Sequence, residues 1–251
     1  MVSKNKIKFI RSLELKKNRL AQRLFVAEGP KVVGDIMARQ QAETVVCTAE
    51  WMNGHTGSIN AKEVVEATEE ELQKISFLKH PQQVLAVFPF MDSRHEEPPC
   101  IGRLSIALDN VQDPGNLGTI IRIADWFGIE TIYCSAGTAD AYNPKVVQAT
   151  MGSIARVDVV YTDLCQLIES LPEGFPVYGT FLDGNSIYKE QLSAEGILLM
   201  GNEGNGISPE TARLVSHRLL IPNFPAGRET ADSLNVAIAT AIACSEFRRN
   251  Q

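Results

Sequence analysis

Apolar residues return along this chain in two patterns, strand-length runs and stretches where they recur every three or four positions. In the second half the runs LSIALD (104–109), TIYCS (131–135), VDVVY (157–161), VYGTFL (177–182), ILLM (197–200) and RLLIP (218–222) read as strands. Between them lie helical patterns. Leu117, Ile120, Ile121, Ala124 and Phe127 mark one, with Asn116 placed as its N-cap. PKVVQATMG (144–152), DLCQLIES (163–170), a weaker segment at 188–193 and SPETARLVS (208–216) follow. A closing helix from about 232 carries one apolar stripe of Leu234, Ala237, Ile238, Ala241 and Ile242. Strands separated by helices imply βαβ units and an α/β fold with a mostly parallel sheet.

The first ninety residues predict a smaller α/β unit. A basic helix (about 5–20) leads to LFVAE (24–28), a helix opened by Gly29 and Pro30, and a second strand in ETVVCT (43–48). Thr68 and Glu71 form a capping-box signature, and VLAVF (84–88) closes the unit. PFMDSRHEEPPCIG (89–102) then breaks all periodicity. The expected organisation is an N-terminal domain at 1–90, a linker at 91–102 and a larger domain at 103–251. A chain of 251 residues accommodates two such domains.

Charge changes this picture locally. The net charge is −6, yet residues 1–31 hold nine Lys or Arg against Glu14 and Glu28, a local net of +7. The other residues carry 15 basic and 28 acidic groups. A basic N-terminal face on an acidic protein suits contact with phosphates, or is simply a solvated helix face. Five cysteines, an odd number and widely spread, argue against a disulfide framework or zinc site and point to a reducing cytoplasm. Four scattered histidines give no expectation of a metal centre. No apolar run approaches the roughly 20 residues of a membrane span, and the first residues do not read as a signal peptide.

Three segments carry candidate chemistry. NVQDPGNLGTIIRIA (110–124) gathers Asn110, Asp113, Asn116 and Arg122 where a strand hands over to a helix, the usual seat of chemistry in α/β proteins. Arg122 there serves a site or pairs with a carboxylate at the core edge. LLMGNEGNGIS (198–208) runs a buried strand into Gly201, Gly204 and Gly206, with Glu203 inside the turn. Such glycines admit a ligand close to the backbone, or make an ordinary glycine-rich turn. Their order, GxxGxG, is neither the dinucleotide fingerprint nor a P-loop, which counts against a dehydrogenase. IPNFPAGRETADSLNV (221–236) brings Ser233 and Asn235 to the start of the final helix, where Asp232 or Ser233 caps it or Ser233 and Asn235 meet a phosphate or ribose hydroxyl.

Together these segments resemble the SpoU (TrmH) class of SPOUT RNA methyltransferases. Its three ordered motifs are met by Asn110, Asp113, Asn116, Gly118, Arg122 and Ala124, then by Gly201, Glu203 and Gly206, and finally by Ile221, Pro222, Ser233, Leu234, Asn235 and Val236. The resemblance covers 103–249, and FVAEGPKVV looks like the start of the family's substrate-binding domain. It implies a C-terminal trefoil knot, S-adenosylmethionine held by the knot loops, and homodimers joined through the knotted domain. The cofactor residues it implies are Thr180, Gly201, Asn202, Gly206, Ile221 and Leu234. It implies transfer of a methyl group to a ribose 2′-hydroxyl of RNA, rRNA rather than tRNA by the two-domain layout. A catalytically silent RNA-binding protein is the alternative class. Arg122, Asn116, Glu203, Ser233 and Asn235 take the catalytic positions, with Asn116 expected to position the ribose and Glu203 to orient Arg122. Between Pro222 and Ser233 the chain is a few residues longer than the family's usual loop.

Overall fold

The structure, a computed structural model, describes residues 1–91, 101–225 and 231–249. Most of the expected linker, Cys100 and the middle of the 221–233 loop lie outside the described residues. The chain divides into two compact units, Met1–Asp92 with Asp140–Ala155, and Ser93–Ala139 with Arg156–Gln251.

In chain order the first unit contains α1 (Lys4–Ser12), α2 (Lys16–Gln22), β1 (Leu24–Glu28), α3 (Pro30–Met37) and β2 (Thr44–Cys47). It continues with α4 (Ala49–Gly54), β3 (Val64–Glu66), α5 (Glu69–Ile75) and β4 (Val84–Pro89). The strands form one sheet in the order β1-β4-β2-β3, antiparallel except for β2 beside β3. The single basic helix expected at 5–20 is two helices, because Leu13 between them is fully buried and the chain turns to place it. Thr68 and Glu71 do form a reciprocal capping box on α5. Not every basic group of the N-terminal segment faces solvent. Arg19 is buried and ion-paired with Asp140, Lys6 pairs with Glu63, and Arg11 donates to the Ser76 carbonyl at 2.6 Å.

The second unit follows with β5 (Leu104–Leu108), α6 (Pro114–Trp126) and β6 (Thr131–Cys134). Next comes α7 (Pro144–Ala149), whose sequence pattern groups it with the second half but which packs in the first unit. Val147, Ile154 and Ala155 join Phe25, Val33 and Phe88 in one core, so the span 103–251 is interrupted at 140–155. The second unit then resumes with β7 (Asp158–Tyr161), α8 (Leu164–Glu169), β8 (Val177–Ser186), β9 (Gly196–Met200), α9 (Pro209–Ala212), β10 (His217–Leu220) and α10 (Val236–Arg248).

All six strands of the second unit run parallel, in the order β10-β8-β9-β5-β6-β7. Every residue of β5, β6 and β9 is buried, as expected of a parallel sheet covered on both faces. The chain leaves β5 toward β6 and β7, crosses to β8 on the other side, and inserts β9 between β8 and β5. Along β10 the partner on β8 jumps from Gly179 to Asn185, so residues 180–184 leave the pairing and bulge from the sheet.

Candidate active site

The site is assembled within the second unit at the carboxyl ends of β5, β8 and β9. Asn110, just past β5, adopts the left-handed region at φ 57, which asparagine tolerates better than most residues. Its backbone N–H donates to Ser135 Oγ at 2.9 Å, and its carbonyl accepts from Asn202 Nδ2 at 2.7 Å. A Cβ on Gly137 would fall 2.0 Å from Asn110 Oδ1, so any other residue there must displace the Asn110 side chain. The helix cap lies three residues earlier than the pattern suggested. Asp113 caps α6 by accepting from Asn116 N at 2.8 Å, with Pro114 in the first turn. Asn116 is thereby released from capping, and its side chain turns to the site.

A chain of amides links all three motifs. Asn235 caps α10 by accepting from Ala237 N and Ile238 N, and its Nδ2 donates to Asn116 Oδ1 at 2.9 Å. Asn116 Nδ2 in turn donates to Glu203 Oε1 at 2.9 Å. The Glu203 carboxylate also accepts from the N–H groups of Gln112 (3.5 Å) and Asp113 (3.4 Å). Residues more than 85 positions apart are thus locked to one another.

This arrangement corrects two expectations. Glu203 does not meet Arg122; it sits where backbone N–H groups and the positive end of α6 satisfy a carboxylate. Arg122 lies six residues along α6 from Asn116, about 9 Å of axial rise, and is exposed without a partner among the described residues. Asp232 and Ser233 do not cap the last helix either, because α10 begins only at Val236 with Asn235 as its cap. Ser233 is exposed and makes no hydrogen bond among the described residues.

Beside the amide chain lies a cavity of about 360 Å³. All six residues expected to hold a cofactor, Thr180, Gly201, Asn202, Gly206, Ile221 and Leu234, line it, with Glu203 and Ser233. Its loop is tightly built. Asn202 and Gly206 exchange backbone hydrogen bonds at 2.9 and 3.0 Å, while Asn202 Oδ1 accepts from Gly204 N and Asn205 N. Gly206 has φ 68, and a Cβ on Gly201 would sit 2.2 Å from the Gly206 carbonyl carbon. The motif glycines therefore let two backbone segments touch at the cavity wall.

Sequence reasoning missed Phe181, Leu182, Met200 and Leu220, which also line the cavity. The first two lie in the β8 bulge, for which no signal exists in the sequence. It also missed Asp109, which is buried and accepts from Ser208 N at 2.8 Å and Asn110 Nδ2 at 2.9 Å, tying β5 to the loop after β9. No three His, Cys, Asp or Glu side chains gather as metal ligands among the described residues. No described helix is long and apolar enough to cross a membrane.

Residues 103–245 match the model of the SpoU rRNA Methylase family, and residues 4–86 match that of the MRM3-like substrate binding domain. The chain is 31% identical over 245 residues to the 23S rRNA (guanosine(2553)-2′-O)-methyltransferase of Bacillus subtilis, covering 97% of this chain and 96% of the relative. Among solved structures it is similar to a TrmH-family protein from Porphyromonas gingivalis, with TM-score 0.89, 44% identity and full coverage of both chains. It is also similar to an AdoMet-bound rRNA methyltransferase from Sinorhizobium meliloti, with TM-score 0.85 and 34% identity over 100% of this chain and 97% of that one.

Proposed function

This chain belongs to the SpoU rRNA methylase family, and we propose that it transfers a methyl group from S-adenosylmethionine to a ribose 2′-hydroxyl of rRNA. The observation that carries the reading is one cavity lined by the second and third motifs, to which the first motif is tied by the chain Asn235–Asn116–Glu203. The cavity suits the cofactor because Gly201 lets the 201–206 loop close on itself and present backbone groups along the cavity wall. When bound, S-adenosylmethionine supplies a methyl group activated by its sulfonium.

The chain's own residues divide the remaining work. Arg122 orients the attacking hydroxyl and stabilises its developing negative charge. It is not the base, since a guanidinium stays protonated with a pKa above about 12. The proton leaves to an RNA phosphate or solvent. Asn116, held by Glu203 and Asn235, fixes the wall against which the ribose is placed. Ser233, with its hydroxyl unengaged among the described residues, takes an RNA phosphate. Alignment of the hydroxyl in the site provides much of the acceleration.

We further infer a C-terminal trefoil knot, supported by the insertion of β9 between β8 and β5. A homodimer joined through α6 and α10 is supported by the exposure of Trp126, Leu234 and Ile238. A cytoplasmic setting is inferred from the similarity to a bacterial rRNA methyltransferase. The deciding experiment incubates the protein with methyl-labelled S-adenosylmethionine and, separately, total rRNA and total tRNA. Alkali-resistant dinucleotides from labelled rRNA are the expected product, because a 2′-O-methyl blocks cleavage of the adjacent phosphodiester. Label in tRNA alone would overturn the substrate, and label in neither would overturn the enzyme.

A further inference from the structure

The motif FVAEG ends β1 on Glu28, a carboxylate only 5% exposed that the active site does not use. Ser76 Oγ donates to one of its oxygens and Phe77 N to the other at 2.8 Å. No cation lies within ion-pair distance of it among the described residues. The nearest candidate, Arg11, instead donates to the Ser76 carbonyl and lies over the Phe77 ring, 4.8 Å from its centroid. Burial pushes the Glu28 carboxyl above its ordinary range. A carboxylate buried without a counter-ion is unfavourable, and two neutral donors only partly offset that. If Glu28 merely held the turn at 76–78, a neutral acceptor would do the same at lower cost.

Glu28 also lines a cavity of about 350 Å³ built entirely within the first unit, a volume in the range of small-ligand sites. Its walls include Val26, Phe77, Leu78 and Val147, and Met151 completes them. Met151 is one of three non-glycine residues with positive φ among the described residues, here 51, the kind of backbone placement that clusters at binding sites. Lys145, also lining the cavity, is exposed and unpaired among the described residues. The cavity thus combines an aromatic wall, a buried double acceptor and one cation.

We propose that this cavity receives an unstacked guanine base of the RNA substrate, its Watson–Crick edge donating to Glu28 and its phosphate meeting Lys145. The inference rests on the RNA-methylating reading and deepens it. An ionised carboxylate offers about four lone-pair sites, of which Ser76 and Phe77 occupy two. Guanine presents N1–H and N2–H side by side and can donate to both oxygens together. Adenine and cytosine offer a single amino group on that edge, and uracil a single imino N–H. Unpaired bases in RNA are commonly read in this way, stacked on a ring and bonded at the Watson–Crick edge.

The test uses the full-length protein and fluorescent nine-nucleotide uridine strands carrying one central guanine, inosine or adenine, with affinity read by anisotropy. Inosine lacks the N2 amino group and is otherwise the same base. Guanine is expected to bind about tenfold more tightly than inosine or adenine, as for one hydrogen bond to a charged group. In Glu28→Gln that preference should disappear while the unfolding midpoint and affinity for S-adenosylmethionine hold. Lys145→Ala should weaken all three strands equally. Equal affinity of the wild-type protein for guanine and inosine strands overturns the pocket whatever the variants do, and so does a preference that survives in Glu28→Gln. The assay needs no methyl transfer. A protein that methylates rRNA but ignores the inosine change loses only the pocket; one that prefers guanine but transfers no methyl loses only the enzymatic reading.

Discussion

Arg122 stands on the exposed side of α6 with nothing to hold it among the described residues, which separates its role from that of the amides nearby. If it acts on the attacking oxygen alone, Arg122→Ala should lower kcat by roughly 100- to 1000-fold. Affinity for S-adenosylmethionine, measured by calorimetry, should then stay within about twofold, since the lost contact is made only in the transition state. A parallel loss of cofactor affinity would place the arginine elsewhere. Gly201→Ala tests the opposite case. Its methyl would overlap the backbone at Gly206, so the turn must shift, at about 1–3 kcal/mol and with loss of cofactor binding. Retention of wild-type affinity and unfolding midpoint would refute the close approach as the glycine's reason. The identities of these residues were legible because each motif demands an unusual residue type. Their pairing was not. The family resemblance implied that Glu203 orients Arg122, whereas the carboxylate is satisfied by Asn116 and two backbone N–H groups. Residue type reveals what a side chain can bond to, but partner choice depends on how loops 90 residues apart come together.

At the scale of elements, hydrophobic spacing located the strands well because parallel strands are buried on both faces and appear as continuous apolar runs. Helix ends and faces were harder to read. Asn116 and Asp113 are both good caps, and the pattern could not tell which one started α6; Pro114 decides it, being suited to the first turn. Of the expected stripe Leu234, Ala237, Ile238, Ala241 and Ile242, the first precedes α10 and only Ala237 is buried. Val236, Ala237, Thr240, Ala243, Cys244 and Phe247 are inside, leaving Ile238 half exposed. A helix apolar on two sides gives a periodicity that names neither. Where a cap is reciprocal, the sequence was a sound guide, and Thr68 with Glu71 opens α5 as written. Thr68→Ala should destabilise the protein by about 1 kcal/mol in chemical denaturation. Glu71 adds a pH dependence. Hydrogen bonds from the N–H groups of Thr68 and then Val2 hold its carboxyl below the ordinary value of 4.5. A depressed folded-state pKa contributes stability that is present above 4.5 and is lost as pH falls through the folded value. Glu71→Gln should therefore narrow its deficit against wild type in acid below pH 4.5, and an unchanged deficit there would remove the carboxylate from the cap.

For the whole molecule, the excursion at 140–155 shows the limit of reading domains as continuous stretches. Its apolar residues are spaced as any helix's would be, and only packing reveals that Val147 and Ile154 complete the core around Phe25. Oligomeric state is a property of this same kind, decided by a face rather than a motif. The second unit leaves Trp126 85% exposed at the end of α6, with Ile238 and Leu234 about half exposed on and just before α10, a helix packed against α6. Single exposed apolar residues are ordinary, but large ones at both ends of the α6–α10 pair, Trp126 at one and Leu234 with Ile238 at the other, suit an interface running along the two helices. A twofold arrangement would use each residue twice, so a charge introduced at one position is buried at two symmetry-related places in the interface. Trp126→Glu with Ile238→Lys separates this from simple misfolding, since both positions are already exposed and their replacement should leave the unfolding midpoint of a monomer unaffected. Sedimentation velocity of the wild type at micromolar concentration should give a species of twice the 27.6 kDa chain mass, and the double variant a monomer. A wild-type monomer, or a variant that still dimerises, would move the interface away from α6 and α10. If the variant is a folded monomer that still binds S-adenosylmethionine but has lost transfer, the exposed Arg122 on the same helix is the first residue to examine, because a partner surface there would supply the contacts that one chain lacks.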